Sequence, residues 1–89
     1  MHAVIVKVTV HDREAAEARL RDEIVPQVSQ APGFVAGYWT SRADNDSGLA
    51  MVVFESEEAA TGASKMIPAT IPDTVTLEDV EVREVVGHA

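Results

Sequence analysis

Residues 34–58 read FVAGYWTSRADNDSGLAMVVFESEE, and the reading of this stretch decides the fold. Its first part, FVAGYWT (Phe34 to Thr40), has the aromatic and β-branched content of a strand. SRADNDSG (Ser41 to Gly48) concentrates Asp, Asn, Ser and Gly, whose side chains and backbones favour tight turns, so it reads as a hairpin loop. LAMVVF (Leu49 to Phe54) is a short, nearly continuous apolar run, as expected of a central strand. Ser56 then supplies a helix cap, with Glu57 and Glu58 in the positive first turn. The stretch is therefore strand, hairpin, strand, helix.

Upstream, residues 2–10 (HAVIVKVTV) alternate with period two: Val4, Val6, Val8 and Val10 face one way, Ala3, Ile5, Lys7 and Thr9 the other. Asp12 is placed to cap a helix over residues 13–30, whose stripe is Ala16, Leu20, Ile24 and Val28, with Val25 beside it. Pro26 lacks a backbone donor and clashes one turn back, so a kink or an end is expected near Asp22 to Val25; the stripe running on to Val28 favours a kink. Ala31-Pro32-Gly33 stops the helix. Downstream, the second helix carries Ala59, Ala63, Met66 and Ile67 as its apolar stripe. Pro68 and Pro72 are expected to bracket a loop, PATIP, before a last strand over residues 74–86. Gly87 to Ala89 reads as a frayed tail.

The order β-α-β-β-α-β predicts one α+β domain over residues 1–89, a ferredoxin-like sandwich. Crossover handedness puts both helices on one face of a four-stranded antiparallel sheet. The opposite face is left bare, with Ile5 and some of Phe34, Tyr38, Trp39, Met51 and Val53 on it. A bare apolar sheet face is costly in water, so a homodimer packed sheet to sheet is expected. The chain's size points the same way. A domain of 89 residues has a thin core, and with no cysteine it has no disulfide to reinforce it.

The formal net charge is −8, from 15 acids against 7 bases, which argues against nucleic acid and anionic membranes. His2, His11 and His88 are too scattered for a metal site, and no metal or cofactor is expected. Asp44, Asn45 and Asp46 lack the Gly and distal Glu of a calcium loop. Lys7 interrupts the apolar opening, no small-residue cleavage site follows it, and no stretch approaches the roughly 20 apolar residues of a membrane span. A cytoplasmic protein is the expectation.

The valine-rich first strand, the helix exit VPQVSQAPGFVAGYW (Val25 to Trp39) and the strand-to-helix passage MVVFESEEAA (Met51 to Ala60) resemble the dimeric α+β barrel superfamily, which includes the antibiotic biosynthesis monooxygenases. The resemblance implies the sandwich, its dimerisation and a cofactor-independent monooxygenase-like enzyme acting on a small aromatic or polyketide-like molecule. The superfamily's haem degraders use an Asn on the first strand and a His on the second helix; this chain has neither. The cofactor-free oxygenases hold an electron-rich substrate with Trp, Asn, Tyr or Arg, and Asn45 falls in an exposed turn. The alternative is a non-catalytic small-molecule-binding or assembly module.

The expected pocket lies between sheet and helices, walled by Tyr38, Trp39, Met51, Phe54 and Met66 around a small apolar or aromatic ligand. His2, Trp39 and Arg42 are the catalytic candidates: an imidazole able to act as a base, an indole able to stack and a guanidinium able to clamp an anion. Tyr38 and Trp39 are neighbours on one strand, so they point to opposite faces, and the sequence does not say which meets the helices. The ordinary reading of each is also structural: aromatic packing, an exposed strand-end histidine, a solvated arginine. The acids Glu55, Glu57 and Glu58 are explained by the helix start alone.

Overall fold

A valine ladder organises the molecule. In the computed structural model, which describes residues 1–71 and 73–89, β1 (His2–Val10) lies at the centre of a four-stranded antiparallel sheet. With β2 (Phe34–Ser41), β3 (Ser47–Phe54) and β4 (Val75–Glu84), the strand order is β2-β3-β1-β4. Val4 and Val6 pair in register with Val52 and Ala50 on one side and with Val82 and Val80 on the other. These side chains share the helix-facing side. Val4, Val6, Val52, Phe54 and Ala60 form the buried core.

The helix layer has two segments. The first is built of α1 (Arg13–Arg19), a π-helical turn (Leu20–Ile24) and α2 (Val25–Val28). Asp12 caps it, its carboxylate accepting from the Ala15 amide at 3.1 Å. The helix runs on through Pro26 rather than ending there. Pro26 cannot donate to the carbonyl one turn back, and the backbone widens: the Val25 amide donates to the Leu20 carbonyl, five residues earlier. The second segment, α3 (Glu57–Thr70), is capped by the Ser56 hydroxyl, which accepts from the Ala59 amide at 3.1 Å. It extends further than expected. Pro68 lies inside α3 instead of opening a loop, because in the last turn its missing N–H forfeits a single bond. Pro72 lies outside the described residues. No helix among the described residues is long and apolar enough to cross a membrane.

Gly33 joins the layers. It has φ +78°, a left-handed conformation that side chains resist. A Cβ there would lie 2.9 Å from the Ala59 Cβ, and the Gly33 carbonyl accepts from the Glu55 amide at 2.8 Å. One glycine thus ends the first helical segment and ties it to the start of the second.

Two register irregularities decide which side chains meet the helices. One lies between Phe34 and Ala36 where β2 pairs with β3, the other between Lys7 and Val8 where β1 pairs with β4. A bulge adds one residue and reverses the alternation beyond it. Phe34 and Trp39, an odd number apart, therefore both pack on the core side, as do Leu77 and Val80. Of the residues considered for the bare face, Ile5, Tyr38, Met51 and Val53 lie there. Phe34 and Trp39 do not.

Candidate functional site

The helix layer does not close on the sheet along its whole length. A cavity of about 210 Å³ lies between them. Val6, Val8, Ala50 and Val52 line it from the sheet, Leu20 and Ile24 from the π-helical turn, and Ile67 from α3. The wide turn at Pro26 is thus where the layer stands over the cavity, and π-turns are often found at functional positions. The four polar residues lining it, Arg13, Glu17, Thr40 and Ser41, are all exposed, so polarity is confined to the rim.

Trp39 forms an aromatic wall, and Gly37 explains its pose. The two residues are on one face of β2, two positions apart. A Cβ on Gly37 would come within 2.7 Å of the indole Cη2 and 2.8 Å of Cζ3. The ring lies in space that only glycine leaves open. Gly37→Ala is therefore expected to push the indole into the cavity, shifting tryptophan emission and weakening ligand binding by about tenfold or more through lost volume. Fluorescence of this single-tryptophan chain measures both effects.

The β2–β3 hairpin forms one side of the mouth and is tied internally. Arg42 donates through Nε and Nη2 to the two Asp44 carboxylate oxygens at 3.0 and 3.1 Å. That guanidinium, with Asp44's own backbone amide, holds the Asp44 carboxyl below its ordinary pKa. The Asn45 side chain accepts from the Ser47 amide at 2.8 Å. Arg13 reaches across from α1, its Nη2 donating to the carbonyls of Arg42 at 2.5 Å and Asn45 at 2.9 Å.

Of the five expected pocket walls, Trp39 alone lines this cavity. Phe54 is core, 1% exposed, with its ring edge-on to Phe34 at 6.3 Å and 82°. Tyr38 and Met51 pair in register on the opposite side of the sheet, and Met66 is 66% exposed. Arg42 is committed to Asp44 outside the cavity. His2 is also apart from it, with Nε2 3.4 Å from the Glu57 carboxylate at the start of α3. The three catalytic candidates are thus not brought together. Glu81 is engaged by Arg83 at 2.7 Å. Arg13, Glu17 and Gly37 were missed by sequence reasoning; the Gly-x-Trp spacing of β2 was the one available signal. No group of three or more His, Asp or Glu among the described residues could hold a metal ion.

The other side of the sheet presents a second hollow, of about 580 Å³. Ile5, Tyr38, Met51 and Val53 lie on it, and Val85 to Ala89 border it. Tyr38 is 62% and Met51 42% exposed. Comparison with protein-family models and with curated proteins finds no match to this chain.

Proposed function

We propose that this chain is a homodimeric small-molecule-binding protein that holds a small, largely apolar, ring-bearing ligand between its sheet and its helix layer. The observation that carries this reading is the cavity of about 210 Å³ beside Trp39. An apolar cavity of about 150 Å³ accepts benzene, so a substituted single ring or a compact bicycle matches this space. Ligand pockets are usually larger, on the order of 300 Å³ upward, which argues for a small ligand. The bare sheet face supports the dimer: a second copy placed sheet to sheet covers Tyr38 and Met51 in both protomers.

The apolar lining favours a second reading on the same site. A cofactor-independent oxygenase of the kind the chain resembles draws its electrons from an electron-rich aromatic substrate. Such a substrate needs a water-poor, aromatic-walled chamber more than it needs a set of acid–base groups. Binding is the shared requirement and is tested first. A single-ring aromatic at a hundred times its Kd stabilises the fold by roughly 2.7 kcal/mol, which raises Tm by roughly 11–22 °C in a domain of this size. No saturable shift with any single-ring or bicyclic aromatic would overturn the proposal. Oxygen consumption with quinol substrates separates the two readings: uptake that is lost in Trp39→Ala supports the oxygenase, and binding without uptake supports carriage.

A further inference from the structure

We infer that Arg13 makes the cavity selective for a ligand bearing one anionic group, such as a ring-bearing carboxylate; this rests on the reading of the cavity as a ligand site. Arg13 is the only cation among the described residues that line it. Its charge is not neutralised. Arg19 and Arg42 each hold a carboxylate, Glu23 at 2.8 Å and Asp44 at 3.0 Å. Arg13 instead bonds two backbone carbonyls, those of Arg42 and Asn45. No carboxylate among the described residues comes within ion-pair distance of it. Both carbonyl bonds use Nη2, so Nε and Nη1 hold no acceptor among the described residues. A guanidinium held through Nη2 keeps Nη1 and Nε as donors, each able to give a single charge-assisted bond to a carboxylate.

Glu17 is the competing group, since it also lines the cavity and would attract a cation. The two differ in preparation. Arg13 is already held by two hydrogen bonds, whereas the Glu17 carboxylate makes none among the described residues and has to be ordered when a ligand arrives. The net charge of −8 and Glu17 itself oppose an anion over longer range. Those terms are screened beyond about 8 Å at physiological salt, while a direct contact at the rim is not.

The test compares three probes of one shape by quenching of Trp39: 4-ethylbenzoate, 4-ethylbenzyl alcohol and 4-ethylbenzylamine. The carboxylate is expected to bind about tenfold tighter than the alcohol, and the amine weakest. Arg13→Gln should abolish the carboxylate's advantage, bringing the ratio of carboxylate to alcohol affinity to about one. That variant also loosens the hairpin, so Glu17→Gln provides an independent arm: it should tighten the carboxylate by about threefold and leave the alcohol unchanged. Equal binding of all three probes, or preference for the amine, would overturn the assignment of Arg13 while leaving the cavity as a ligand site. Binding of none would overturn both.

Discussion

Phe54→Ala is expected to remove most of the stability of this domain. Phe54 is 1% exposed, and its aromatic partner Phe34 reaches it from the neighbouring strand. Truncating a buried phenylalanine costs about 3–5 kcal/mol, from lost transfer energy and from the space left behind. A domain of this length has on the order of 5–10 kcal/mol in total. The site has little means of collapsing, because β1, β3 and the start of α3 surround it through Val4, Val52 and Ala60. Urea denaturation should show a much lower midpoint with an unchanged slope. A midpoint close to wild type would mean that the Phe54–Phe34 pair is not the centre of the core.

Met51→Lys is expected to act on association and leave the single chain's fold nearly untouched. Met51 is 42% exposed and lies opposite Ile5 and Tyr38 on the face that carries no helix. In a single chain the added ammonium stays in water. In a sheet-to-sheet dimer it is buried without a partner, once in each protomer, because a two-fold interface repeats every substitution. Weakening by a factor of about 100 or more follows from a penalty of roughly 3 kcal/mol over the two sites. Sedimentation velocity at micromolar concentration should show a wild-type dimer and a folded Met51→Lys monomer. A wild-type monomer, or a variant dimer of unchanged affinity, would contradict the sheet-face interface.

The strands and caps were legible because each depends on local chemistry. Alternating valines in β1, Asp12 and Ser56 as caps, and Gly33 in the turn all perform the roles their positions imply. The facing of the aromatics was not legible. A regular strand places Phe34 with Ala36 and Tyr38, and only the bulge after Phe34 moves it to Trp39's side. Pairing with β3 creates that bulge, so nothing within residues 34–40 announces it. This also explains the expected pocket walls. Tyr38, Trp39, Met51 and Phe54 were grouped as large apolar residues on adjacent strands, but the register divides them between two faces. The cavity was illegible for a further reason. Leu20, Ile24 and Val28 read correctly as an inward stripe, but whether an inward stripe meets packed atoms or open space depends on the width of the turn at Pro26.

The proposed roles divide between the two sides of one sheet: ligand binding on the helix side, association on the bare side. Methyl-resolved NMR during titration with 4-ethylbenzyl alcohol observes both sides at once. Saturable shifts are expected at Val8, Leu20, Ile24 and Ile67, with Ile5, Met51 and Val53 unmoved. Shifts confined to Ile5, Met51 and Val53 would contradict that division.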